Sequence, residues 1–129
     1  MMDEEILKEY YIIIKNKILN FEFQSALKNI TKLLSNFPDN AMGYYYKGVC
    51  EFALDNYEDS KKSYLQALKL DITMPKAYFN LGVCYYMLEK YDKALINIGK
   101  ALIIFSKQKE LRSKDRCLSA LSLIESERK

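Results

Sequence analysis

Three cysteines, Cys50, Cys84 and Cys117, are the residues best suited by type to redox or metal chemistry, and their spacing argues against both. They are odd in number, far apart, and form no C-x-x-C pair. Histidine is absent from all 129 residues, which removes the usual general base, the usual activator of a nucleophile and the commonest metal ligand together. With no nucleophile-and-base pair to find, the sequence predicts no catalytic residue, no metal and no cofactor, and it predicts reduced thiols buried in a core. Phosphate recognition would draw on Lys107, Lys109, Arg112, Lys114 and Arg116. Glu110 and Asp115 interleave with these, and the net charge is only +3. A solvated helix face is therefore the expectation, and nucleic acid is disfavoured as a partner.

Half of the residues are apolar and 29% are charged, the balance of a folded globular chain. The length suits a single domain over 1–129, able to bury a core without disulfides or a structural metal. No apolar run approaches the ~18 residues of a membrane helix, and Tyr10 to Ile14 is the longest near the start. Asp3, Glu4 and Glu5 carry the wrong charge for a secretory leader. No membrane span and a cytoplasmic location are expected.

The elements that position these residues show themselves through a period. Cys50 and Cys84 are 34 residues apart, and so are the members of Tyr10, Tyr44, Tyr78, of Phe23, Tyr57, Tyr91, and of Ala26, Ser60, Ala94. Self-similarity at this period signals stacked supersecondary units. Within a unit the spacing is helical: Tyr78, Leu81, Gly82 and Tyr85 share one face, and Ala94, Ile98, Ala101 and Leu102 share another. Glu89-Lys90 between them allows only a tight turn, so the two helices pack antiparallel. Small residues fall where helices would approach closest, at Gly48 and Gly82 on the first helices and at Ala26, Ser60, Ala94, Ala67 and Ala101 on the second. Glycine inside a helix costs about 1 kcal/mol relative to alanine, and close helix contact supplies the reason for it.

The spacing predicts helices near 4–19, 23–35, 41–54, 57–70, 75–88 and 91–105, and a seventh near 109–127. Asp3 is read as an N-cap, with Glu4 and Glu5 in the first turn favoured by the helix dipole. Pro75 fits the first turn of the fifth helix and Pro38 the loop after the second.

These residues resemble the tetratricopeptide-repeat signature W-x₂-L-G-x₂-Y, then A-x₃-F, then P. The third unit reads Tyr78-x₂-Leu81-Gly82-x₂-Tyr85 and Ala94-x₃-Ile98; the second reads Tyr44-x₂-Lys47-Gly48-x₂-Glu51 and Ser60-x₃-Tyr64-x₂-Ala67. The first is degenerate, with Tyr10, Ile13, Ile14 and Lys17, but keeps Phe23, Ala26, Ile30 and Pro38. The resemblance implies an all-α fold, a right-handed superhelical α-solenoid of three antiparallel helix pairs in repeats 7–40, 41–74 and 75–108. Beyond Ser106 the phase slips by one residue, since Cys117 lies 33 after Cys84 and Leu111 lies 33 after Tyr78. Leu111, Leu118, Leu121 and Ile124 mark the apolar face of a capping helix, about 109–127, which a solenoid needs at its end.

A second apolar stripe lies one residue on from the packing stripe: Tyr45, Val49, Phe52 and Ala53, then Phe79, Val83, Tyr86 and Met87, all at i, i+4, i+7 and i+8. In proteins similar to this one that face lines a concave groove in which extended or helical peptides bind. The expected partner-binding residues are Tyr11, Lys15, Tyr45, Val49, Phe52, Lys76, Phe79, Asn80, Val83, Tyr86 and Met87. Four aromatics of about 200 Å² each, half exposed, would leave roughly 400 Å² of apolar surface. One subset of the family clamps acidic chaperone tails with Lys, Asn and Arg. Tyr11, Lys15, Tyr46 and Asn80 stand where that clamp needs Lys, Asn, Asn and Arg, and only Lys76 matches. The sequence thus points to a non-enzymatic adaptor, scaffold or assembly factor holding a peptide or helix of another protein. The alternative is a self-association module, with the groove filled by another copy or by the chain's own termini.

Overall fold

The computed structural model describes residues 2–128. Seven helices follow one another: α1 Met2–Leu19, α2 Phe23–Asn36, α3 Ala41–Ala53, α4 Tyr57–Leu70, α5 Pro75–Met87, α6 Tyr91–Lys107 and α7 Leu111–Glu127. Among the described residues there is no strand, and no helix is long and apolar enough to cross a membrane. The chain divides into two compact units, Met1–Leu70 and Asp71–Lys129.

Asp3, read as a cap, lies inside the first turn of α1 with Glu4 and Glu5, and Lys17 is in its last turn. Both ends of α1 therefore complement the helix dipole. Asn40 caps α3 by accepting a 2.7 Å hydrogen bond from the Gly43 amide, and Pro75 opens α5. The turns between paired helices share one device. Phe21, Asp55 and Glu89, 34 residues apart, adopt φ of 60°, 65° and 60°, and the next residue's amide reaches back to a helix carbonyl: Glu22 to Lys17, Asn56 to Glu51 and Lys90 to Tyr85, each at 2.8 Å. Lys109, at φ 58°, does the same before α7, with Glu110 bonded to Phe105 at 3.0 Å. This left-handed closure satisfies carbonyls that a helix end would leave unpaired. None of the four is glycine, so the turns lacked their usual sequence mark.

In the first unit Ile14, Ala26, Ile30, Leu33, Tyr46 and Cys50 form one buried cluster, with Tyr10, Tyr11, Phe23 and Leu27 packed around it. Ile14 fills the position where the other repeats have glycine. In the second repeat, a Cβ on Gly48 would lie 2.6 Å from Tyr64 Cε1, so the ring of α4 rests on the backbone of α3. Ser60 stands at the small-residue position and also donates its hydroxyl to the Gly48 carbonyl at 2.7 Å, joining the two helices. In the second unit a Cβ on Gly82 would lie 2.5 Å from Ile98 Cγ1 and 3.1 Å from the Ala94 carbonyl. On Gly99 it would meet nothing within 4 Å. Gly82→Ala is therefore expected to cost about 1–3 kcal/mol, and Gly99→Ala to stabilise by up to about 1 kcal/mol, both readable as shifts in thermal midpoint.

The seventh helix is turned relative to expectation. Cys117 and Ile124 are its buried residues, Leu121 is half-buried, and Leu111 and Leu118 are 69% and 46% exposed. The packed seam runs through Cys117, one position, or about 100°, away from Leu118. All three cysteines are buried free thiols, as the sequence predicted.

Glu51, at the position where the third repeat has Tyr85, is buried. Its carboxylate accepts a 2.5 Å hydrogen bond from Ser63 Oγ and has Lys47 Nζ at 4.0 Å. Burial nevertheless raises its pKa above the ordinary 4.5. A raised carboxyl pKa means that the folded state binds more protons than the unfolded one as pH rises from 4.5 towards the raised value, so stability falls over that interval. Glu51→Gln keeps an acceptor for Ser63 without the charge. The variant is expected to melt above the wild type at pH 7, the gap closing as pH falls to about 4.5; a gap independent of pH would contradict this.

Candidate functional site

Helix α3 presents three faces. Gly43, Tyr46 and Cys50 turn towards α2, where a Cβ on Gly43 would lie 2.8 Å from Leu34 Cδ2. Gly48 and Glu51 turn towards α4, meeting Tyr64 and Ser63. Tyr45, Val49 and Phe52 fall between these faces and are half-buried, and Ala53 beside them is exposed. The Tyr45 ring centroid is 5.8 Å from that of Tyr64, and the Phe52 centroid is 5.0 Å from that of Tyr57. Both rings thus lean on α4, the Tyr45 ring also lies 5.8 Å from Tyr46, and both stay half-buried. On α1, Lys15 is exposed. Tyr11 is half-buried, its ring 5.9 Å from Tyr46 and its hydroxyl accepting from Asn40 Nδ2 at 2.8 Å.

Tyr46 is the residue the sequence reading missed in this unit. Burial, then the neighbouring Tyr11 and Tyr45, push its pKa up to about 12, so it stays a neutral packing ring. Its signal was present: Tyr46 and Cys50 are i, i+4, with Gly43 at i−3. Burial also pushes the Cys50 thiol up to about 12, which leaves it without the thiolate that nucleophilic chemistry requires.

In the second unit Phe79, Asn80, Val83 and Tyr86 are half-buried on α5, and Lys76 and Met87 are exposed. Helix α7 reaches onto this row. The Arg116 guanidinium lies 5.1 Å from the Phe79 ring centroid, within cation–π range. The Tyr86 hydroxyl donates to Glu127 at 2.6 Å, and that hydrogen bond is the first cause of the raised Tyr86 pKa. Arg128 pairs with Asp92 at 2.9 Å and with Glu125 at 2.7 Å. Arg116, which the sequence placed in a solvated basic stretch, thus has an aromatic contact that no spacing rule links to Phe79, 37 positions earlier.

Three tetratricopeptide-repeat family models match the chain, at residues 22–60, 48–89 and 75–108. A Bos taurus relative, "Protein SGT1 homolog", is 32% identical over 97 residues, which is 75% of this chain and 27% of that protein. The chain therefore spans about a quarter of that relative's length. Among solved structures, PcrH in complex with the chaperone binding region of PopD superposes with a TM-score of 0.90 at 21% identity, over 98% of this chain and 96% of that one. Yersinia enterocolitica SycD in complex with a peptide of the translocator YopD gives 0.88 at 19% identity, over 97% and 96%. These likenesses show a common helical-repeat fold along nearly the whole chain.

Proposed function

The chain belongs to the tetratricopeptide-repeat family, and on that premise we propose that it is a non-enzymatic interaction module in which the α3 face of the first unit or the α5 face of the second holds a peptide or helical segment of another protein. The observation that carries this reading is the half-burial of Tyr45, Val49 and Phe52 on α3 and of Phe79, Val83 and Tyr86 on α5, at matching repeat positions. Faces that only packed within the fold would be closed, as those bearing Cys50 and Leu81 are. Exposed Lys76, one turn before Phe79 and Asn80, places positive charge beside the α5 row, and exposed Lys15 places it on α1; both suit a carboxylate on a bound segment. That PcrH and SycD are seen with segments of PopD and YopD supports the same use of the fold here. A cytoplasmic location accompanies this reading.

One observation favours a second reading. Arg116 and Glu127 already touch Phe79 and Tyr86, so the chain's own α7 supplies part of what α5 binds, and self-association or self-occupation is the alternative. Capture from an extract of the source cells tests the choice, using wild type beside Val49→Glu and Val83→Glu variants shown to be helical by circular dichroism. A protein captured by wild type and lost with either variant supports partner binding and identifies which unit carries it. Capture unchanged by both variants sinks the proposal, and capture of the chain itself favours the alternative.

A further inference from the structure

Gly99 stands in the middle of α6, and nothing among the described residues accounts for it. A Cβ at Gly43, Gly48 or Gly82 would come within 2.8, 2.6 or 2.5 Å of a side chain, whereas at Gly99 it would find open space. Glycine weakens a helix interior, so one without an internal contact has its steric use outside the chain. Ile96 and Ile103, at i−3 and i+4 from it, share its face and are 58% and 57% exposed. The matching residues of the other repeats are Lys28, Thr31 and Ser35 on α2 and Lys62, Leu65 and Lys69 on α4, all exposed. This row is open in each repeat, and only α6 sets two isoleucines around a glycine there.

Beside the isoleucines runs a basic rail of Lys93, Lys100 and Lys107, each seven residues from the next and all exposed. The Lys93 and Lys100 ammonium groups lie 5.7 Å from the ring centroids of Tyr85 and Tyr78, which holds that part of the rail on the α5 side of the row. Among the described residues none of the three lysines has a carboxylate within 4.0 Å, and Asp92, the acid on this face, is paired with Arg128. The rail is absent from the earlier repeats, where Ser25, Lys32 and Asp39, then Asp59, Gln66 and Thr73, hold these positions.

We propose that this face of α6 docks an amphipathic α-helix of a partner protein, its apolar seam seated over Gly99 between Ile96 and Ile103 and its acidic edge along Lys93, Lys100 and Lys107. The missing side chain at Gly99 lets a partner backbone come closer than the usual 8–10 Å between axes. The rail extends about 21 Å, so the partner helix needs about four turns. Charge decides against an antiparallel second copy. A two-fold antiparallel pairing of α6 with itself about Gly99 brings the same edge of each helix together, lysine against lysine, and like charges oppose it.

The surface is separate from the α3 and α5 faces, and the test keeps the two apart. The probe is a synthetic helical peptide of about four turns, with a Leu/Ala seam and a Glu edge, titrated into the whole chain by fluorescence anisotropy. With the α3 and α5 faces closed by Val49→Glu/Val83→Glu, so that only the α6 face is read, binding is expected to persist and to fall at least tenfold on adding Ile96→Glu/Ile103→Glu or Gly99→Leu, each checked for helicity. It is expected to fall likewise when the Glu edge of the peptide is replaced by Lys. Equal binding of the Lys-edged peptide, or binding indifferent to the α6 variants, overturns the proposal. So does a wild-type dimer in sedimentation that Ile96→Glu disperses, or recruitment to phosphatidylserine vesicles, lost with Ile96→Glu, in the absence of peptide binding.

Discussion

Tyr64→Ala is expected to destabilise the chain by about 3–5 kcal/mol, a large share of the about 5–15 kcal/mol that holds a domain folded. Tyr64 is only 1% exposed, and its ring occupies the space that a Cβ on Gly48 would claim, at 2.6–2.8 Å. The two positions therefore share one volume, and their effects cannot add. Gly48→Ala alone should cost about 1–3 kcal/mol by forcing the ring outwards. In the Tyr64→Ala background the same change enters emptied space and should stabilise, because alanine favours a helix over glycine by about 1 kcal/mol. Chemical unfolding of the four proteins measures the cycle. A Gly48→Ala effect of the same sign in both backgrounds would mean that the ring and the glycine do not compete.

This pair shows what the sequence could and could not disclose. The period of 34, the helical spacing and the recurrence of small residues located Gly48, Gly82, Ser60 and Ala94, because close packing between neighbouring helices repeats wherever the unit repeats. Six helices were legible for the same reason, and the seventh through its own apolar spacing beyond the point where the period slips. Elements that break or decorate the period were not. The Ser60 hydroxyl bond to Gly48 and the Glu51–Ser63 contact occur in the second repeat alone. Left-handed turns at Phe21, Asp55 and Glu89 were hidden because none is glycine. The face of α7 was misjudged because Leu111 and Leu118 look more apolar than Cys117, although the cysteine is the buried one. Of the candidate residues, those on the stripe were proposed from spacing alone, and all but the exposed Ala53 and Met87 are half-buried. The contacts of Arg116 and Glu127 with Phe79 and Tyr86 join distant positions and needed coordinates.

The second large effect is on binding. A buried carboxylate at the centre of an apolar contact leaves a charge without water or a counter-ion, and removal of one well-buried contact commonly costs about 2 kcal/mol or more. Val49 lies between Tyr45 and Phe52 along α3, and Val83 between Phe79 and Tyr86 along α5. Val49→Glu or Val83→Glu, whichever marks the occupied face, is expected to weaken the captured partner by at least about thirtyfold, which corresponds to that 2 kcal/mol. Lys62→Glu, on the exposed side of α4, is expected to change affinity by less than about threefold, since an exposed charge contributes little. Equal losses from all three would point to a diffuse electrostatic attraction in place of a defined face.

Contact itself is the most direct reading. A photo-activatable benzoylphenylalanine placed singly at Val49, at Val83 and at Lys62 would be irradiated with the wild-type sequence otherwise intact and the partner present. The account predicts cross-links to the partner polypeptide from Val49 or Val83 and none from Lys62. Cross-linking from Lys62 with none from either stripe position would contradict it.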